Sequence, residues 1–162
     1  RKDLNLRPVE GVDGSKSEAE ILGQLNRFGI VPDAVTLWGT GKPMREFLWS
    51  EEMADASVHV LLNVDFKDTC QTTGKDIRNC HINIGTGEEI SISDLANLIK
   101  KEVGFDGKIR WDTSKPDGTM KKLTDVSKLH SLGWHHRIDI SEGIHKLYEW
   151  YLKGICINHQ TT

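Results

Sequence analysis

The run Val35-Thr36-Leu37-Trp38 constrains this chain most: β-branched and large apolar residues that read as a short strand, stopped at once by the loop Gly39-Thr40-Gly41-Lys42-Pro43. A similar order returns further on. His81-Ile82-Asn83-Ile84 alternates as a strand does, and Gly85-Thr86-Gly87 makes its exit. Ser91 then precedes Asp94 at capping-box spacing, ahead of a helix over 95–103. Lys108 to Trp111 reads as the next strand and the loop from Thr113 to Lys122 follows it. Short helices begin near Asp125 and Ser141, the last carrying Ile144, Leu147, Tyr148 and Tyr151. The fold class is α/β, a small mixed α/β domain with short strands.

Two further helices are expected. Ser15 stands three residues before Glu18 in a capping-box arrangement, and Ala19, Ile21, Leu22, Leu25 and Phe28 recur at mostly three- and four-residue spacing before Gly29 ends the segment. Ser50 is placed as N-cap of a helix over 51–62, with Glu51 and Glu52 opposing the positive end of its dipole and Met53, Ala56 and Val60 on its apolar face. The stretch 65–78 follows neither period, is rich in turn residues and reads as a solvent loop. The organisation expected is a variable segment over 1–34 with a helix, a domain over 35–152, and a frayed tail over 153–162.

Charge and composition remove several classes. A formal net charge of −3 gives no broad attraction for nucleic acid or an anionic membrane, and no stretch approaches the ~20 apolar residues of a membrane span. Cys70, Cys80 and Cys156 leave one cysteine over in any disulfide scheme and form no Cys-x-x-Cys pair, which suits a reducing cytoplasm. His130, His135 and His136 are the closest of the histidines. They lack a completing carboxylate or cysteine pair, so packing or surface roles are favoured over a metal site.

Dinucleotide chemistry also finds no support. A pyrophosphate must reach backbone N–H groups at a helix start through a glycine-rich turn leaving a strand. Gly11 and Gly14 follow the poor strand Arg7-Pro8-Val9-Glu10, and Ile90 stands where Gly85-Thr86-Gly87 would need a third glycine. In Gly39-Thr40-Gly41-Lys42, Thr36 and Pro43 occupy positions that a phosphate loop gives to glycine and a hydroxyl. Neither Tyr148 nor Tyr151 has a lysine four residues later, so no Tyr-x-x-x-Lys pair exists.

The run from Val35 to Leu48, VTLWGTGKPMREFL, resembles the segment of GDP-L-fucose synthases that enters their substrate domain. Asp55-Ala56-Ser57, the run from His81 to Gly87, Ser114-Lys115-Pro116-Asp117-Gly118-Thr119, Lys122-Leu123 and Leu132-Gly133-Trp134 follow in the same order, so the likeness spans about 35–152. These enzymes are extended short-chain dehydrogenase/reductases. The resemblance implies the carboxyl-terminal, nucleotide-sugar-binding part of such a protein, cut from an amino-terminal Rossmann domain that holds NADP(H). It implies a full-length homodimer that epimerises GDP-4-keto-6-deoxy-D-mannose at C3 and C5 and reduces C4 to give GDP-L-fucose. The catalytic group lies upstream in that family, so this piece is expected to be inactive, with no cofactor of its own. The substrate domain of another nucleotide-sugar epimerase or dehydratase, and a non-enzymatic interaction module, are the alternatives.

By the same resemblance Trp38, Arg45, Asp117 and Lys122 line the GDP-sugar site. A planar guanidinium at Arg45 suits diphosphate oxygens, Lys122 adds a mobile charge, Asp117 accepts from ribose or base, and Trp38 offers a flat wall. Read without the resemblance, Trp38 is a core residue, Arg45 pairs with Glu46, Glu51 or Glu52, Asp117 is a turn residue, and Lys121 and Lys122 are a solvated pair. The sequence departs from relatives at Trp49-Ser50-Glu51-Glu52, where a histidine and paired aspartates are usual.

Overall fold

A computed structural model of the chain describes residues 1–73 and 76–157. In chain order the elements begin α1 (Lys2–Leu6), α2 (Glu18–Arg27), β1 (Ile30–Val31), β2 (Ala34–Trp38), β3 (Met44–Arg45), α3 (Ser50–Asn63) and α4 (Phe66–Thr69). They continue with β4 (Gln71–Thr73), β5 (Asp76–Arg78), β6 (Ile90–Ser91), α5 (Ile92–Glu102), β7 (Lys108–Asp112), α6 (Ser127–Ser131) and α7 (Ile140–Ile157). The chain forms two compact units. One comprises Arg1–Pro43, Ile92–Gly118 and Ile144–Thr162, the other Met44–Ser91 and Thr119–Gly143.

In the first unit the β-branched run forms the middle strand of a three-stranded sheet ordered β1-β2-β7. β1 pairs antiparallel with β2, whereas β2 and β7 run parallel, from Ala34↔Lys108 to Trp38↔Asp112. A parallel pair needs a crossover, and α5 lies between its two strands in the chain. Ala34 is wholly buried. The helix expected after Ser15 starts two residues later. Asp13 takes the Ser15 N–H and hydroxyl in a local turn, so Ser17 and Glu20 form the reciprocal capping box of α2 instead. Ahead of it lie α1 and a tight Val9↔Val12 bridge.

The second unit centres on Ala56, Leu129 and Trp134, packed by Leu48, Val60, Ile82 and Ile84. Full burial of a side chain such as Leu129 contributes roughly 1.5–3 kcal/mol. Two carboxylates on α3 tie the following chain to it. Glu52, 2% exposed, accepts the N–H groups of Arg137 at 2.6 Å and Ile138 at 3.2 Å, and Asp55 accepts the Trp134 indole N–H at 2.9 Å. The helix begins one residue early, with Trp49 as N-cap and no side-chain cap.

Three expectations need correction here. His81 to Ile84 packs the partly buried Ile82 and Ile84 against the core as the alternation requires, yet pairs with no strand among the described residues. The presumed loop 65–78 contains α4, closed by Asp65 and Asp68, and the antiparallel β4–β5 hairpin. The helix near Ser141 is long, and α7 runs on to Ile157. The remaining tail, 158–162, lies outside the described residues.

Glu46 fixes the geometry around Gly85-Thr86-Gly87. Its Oε1 accepts N–H bonds from Thr86 at 2.6 Å and Gly87 at 2.7 Å, and its Oε2 accepts the Thr124 N–H at 3.1 Å. A Cβ on residue 85 would collide with that carboxylate, which is the physical need for Gly85. Burial pushes the Glu46 carboxyl upward, but the hydrogen bonds from Thr124, Gly87 and Thr86 together outweigh it and hold the group below its ordinary 4.5.

Because the folded-state value is depressed, the stability Glu46 supplies is complete above 4.5 and is lost as pH falls through the lowered value. Glu46→Gln should therefore cost about 3 kcal/mol at pH 7, since hydrogen bonds to a charged group contribute roughly 1.5–3 kcal/mol each. Urea unfolding at pH 7 and at acid pH checks this: the gap between variant and parent should shrink in acid. A gap independent of pH would remove the charge from the account.

Candidate functional site

In the first unit, β2 ends by presenting Trp38 to solvent. Its side chain is not in the core but 76% exposed, and Lys115 Nζ lies 5.7 Å from the ring centroid. A groove of about 560 Å³ runs along this face, lined by Asn26, Arg27, Phe28, Thr36, Trp38 and Lys115 among others. Arg27 is paired with Glu10 at 2.7 Å, so it is the indole and Lys115 that can stack a planar ring and attract anionic oxygens.

The chain leaves Trp38 through Gly39 at φ 81°, a left-handed conformation with Asp117 against the position a Cβ would occupy. Asp117 Oδ1 accepts the Thr40 N–H at 2.8 Å and its Oδ2 accepts the Thr40 hydroxyl at 2.6 Å. The Thr40 hydroxyl, then its N–H, hold the Asp117 carboxyl below the ordinary carboxylate range. Asp117 is thus more than a turn residue: it spans 77 positions of sequence to set the loop behind the indole.

In the second unit, the half-buried Arg45 donates from Nη1 to the carbonyls of Met44 and Thr119, each at 2.6 Å. The three acids that could have neutralised it are engaged elsewhere: Glu46 with the Thr86 loop, Glu51 with the Trp49 indole at 3.2 Å, and Glu52 with the Arg137–Ile138 backbone. No carboxylate among the described residues pairs with Arg45. Arg45 lines a small cleft of about 60 Å³ together with Phe47, Thr86, Glu88, Glu89, His136 and Asp139, so acidic residues share the cleft without forming an ion pair with it. Lys121 is held by Glu89 at 2.8 Å, whereas Lys122 is exposed and makes no ion pair among the described residues.

The structure therefore puts Trp38 and Asp117 in one unit and Arg45 and Lys122 in the other. Sequence reasoning passed over Thr40 and Lys115, and took Glu46 only as a possible partner of Arg45, whereas it binds the Thr86, Gly87 and Thr124 backbone. Thr40 sits between two glycines, the one local signal of a closely held N–H. Nothing local marks Glu46 as the partner of residues forty positions away.

Neither Gly-Thr-Gly loop suits a dinucleotide. The N–H groups of Thr86 and Gly87 are taken by Glu46 and that of Thr40 by Asp117, so a carboxylate stands where a pyrophosphate would have to bind. His130 and His135 stack at 4.1 Å, a packing arrangement, and His145 meets Glu102 at 2.6 Å, a contact that raises its pKa. No group of three or more His, Cys, Asp or Glu side chains among the described residues could hold a metal ion, and no described helix is long and apolar enough to cross a membrane.

The profile of the NAD dependent epimerase/dehydratase family matches residues 9–85. GDP-L-fucose synthase 1 of Arabidopsis thaliana is 45% identical over 124 residues, covering 76% of this chain and 35% of that protein. Among solved structures, a GDP-6-OMe-4-keto-L-xylo-heptose reductase from C. jejuni is 44% identical with a TM-score of 0.79, covering 86% of this chain and 39% of that one. MlghC, a GDP-mannoheptose C4 reductase from Campylobacter jejuni with NADP bound, is 43% identical with a TM-score of 0.73, covering 85% and 38%. The chain spans about a third of the length of the curated relatives it matches. Its small mixed α/β architecture is similar to the carboxyl-terminal part of such proteins, and residues 9–85 resemble the NAD dependent epimerase/dehydratase family.

Proposed function

We propose that this chain is the GDP-sugar-binding part of an NADPH-dependent GDP-4-keto-6-deoxy-D-mannose 3,5-epimerase/4-reductase that makes GDP-L-fucose. The observation that carries the reading is Arg45, a guanidinium anchored by two carbonyls and left without a carboxylate, as a diphosphate ligand requires. Trp38 supplies a stacking surface and Lys122 a second positive charge. Asp117 acts on the ligand through the loop it holds behind Trp38.

The reduction and epimerisation belong to a Rossmann part outside this chain, which holds NADP(H). The chain by itself binds GDP-sugar without catalysing turnover. The full-length enzyme works as a homodimer in the cytoplasm. A second reading, a GDP-heptose C4 reductase, is favoured by the 44% identity and TM-score of 0.79 to the C. jejuni GDP-heptose reductase. The two differ in the sugar and share the nucleotide.

The test is NADPH oxidation by the full-length protein on GDP-4-keto-6-deoxy-D-mannose and on a GDP-4-keto-heptose. Faster turnover of the first supports the leading reading, turnover of the second alone supports the other, and turnover of neither sinks both. Within that enzyme Arg45→Ala should raise KM by roughly 10- to 150-fold, the equivalent of one lost charge-assisted contact of about 1.5–3 kcal/mol. Thr40→Val and Asp117→Asn should raise KM by similar factors, with the double variant no worse than either alone. Additive losses would mean that Asp117 touches the ligand independently of Thr40.

A further inference from the structure

The second unit brings together two cysteines that the chain keeps ten residues apart. Cys70 follows α4 directly and Cys80 follows β5, at the two open ends of the β4–β5 hairpin. The register pairs Gln71 with Arg78, so a regular ladder would set residue 79 opposite Cys70. Asn79 instead adopts φ 55°, a left-handed conformation that asparagine tolerates better than most residues, and the extra step turns Cys80 toward Cys70. The two Sγ atoms lie 2.8 Å apart, both thiols half-buried and unbridged. That separation is within about 0.8 Å of a disulfide bond length.

A lysine from another element holds this arrangement. Lys128 of α6 donates from Nζ to the carbonyls of Thr69 at 3.1 Å and His81 at 2.9 Å, and also to that of Asn79. Those carbonyls flank both cysteines, so one ammonium clamps the backbone on either side of the pair. The thiols are thereby presented to each other by the fold and not by chance contact of mobile chains. Their mutual hydrogen bond, with burial adding to it, keeps Cys80 protonated above its ordinary range.

We infer that Cys70 and Cys80 form a thiol redox site whose co-substrate is a low-molecular-weight disulfide, such as oxidised glutathione. One cysteine thiolate attacks a sulfur of the reagent. The reagent's S–S bond breaks, a mixed disulfide forms, and one reduced thiol leaves carrying a proton. The second cysteine thiolate then attacks the protein sulfur of the mixed disulfide and expels the second reduced thiol. In balance, two cysteine thiols and one disulfide reagent give one Cys70–Cys80 bridge and two small thiols, with two electrons passing to the reagent. The bridge ties together both ends of the hairpin immediately before the segment that carries Ile82 and Ile84 into the core.

The experiment equilibrates the native chain with reduced and oxidised glutathione over a range of ratios, traps remaining thiols by alkylation, and maps the products by peptide mass spectrometry. The Cys70–Cys80 bridge should dominate over glutathione adducts, and should form equally in a Cys156→Ser chain. Lys128→Met should shift the ratio of bridge to mixed disulfide by about tenfold toward the adduct, through a lower effective concentration of one thiol at the other. The oxidised chain should also melt at a higher temperature than the reduced one. Stable glutathione adducts without a bridge, pairing with Cys156 in place of the internal pair, or a Lys128→Met chain that bridges as fully as its parent would overturn the inference.

Discussion

A single carboxylate, Glu46, organises the second unit. It stands beside Arg45 in sequence, yet its oxygens are spent on the backbone N–H groups of Thr86, Gly87 and Thr124. Two consequences follow from that one arrangement. The segment carrying Ile84 and the segment leading to Val126 and Leu129 are held to the same group, close to the apolar cluster. Arg45 is also denied its nearest counter-charge, which leaves its guanidinium to two carbonyls and to whatever anion reaches it.

The first unit solves a similar problem with Asp117. There too a Gly-Thr-Gly turn leaves an extended segment, and there too a carboxylate distant in sequence occupies its polar groups. The resemblance of such turns to phosphate-binding loops is thus superficial. A helix-start nest binds an anion because its N–H groups are unspent, and here they are spent internally. The glycines serve close approach of a side chain, as at Gly85 and Gly39, in place of close approach of a ligand.

Much of the architecture was legible because it rests on local patterns. Val35 to Trp38 and Lys108 to Trp111 are strands, and helices follow Ser17 and begin at Ser50 within a residue or two of the expected positions. What the pattern left hidden was partnership. His81 to Ile84 alternates like a strand, but alternation reports which side chains are buried and says nothing about whether a neighbour completes a ladder. The cap at Ser17 in place of Ser15 turned on Asp13, a competitor outside the capping box itself. Trp38, Arg45, Asp117 and Lys122 were assigned to the site through resemblance alone. Their roles diverge in physical terms, because Trp38 and Lys122 are exposed, Arg45 is anchored, and Asp117 is bound to Thr40.

We propose that nucleotide recognition rests on the exposed Trp38 indole and the unneutralised Arg45 guanidinium, and not on the glycine loops. The most direct measurement is a titration of the chain with GDP and, separately, ADP, followed by proton–nitrogen NMR. The expected result is a GDP-selective shift of the Trp38 indole N–H and the Arg45 side chain, with the Thr86 and Gly87 amides unmoved. Shifts at Thr86 and Gly87 while Trp38 and Arg45 stay still would contradict it.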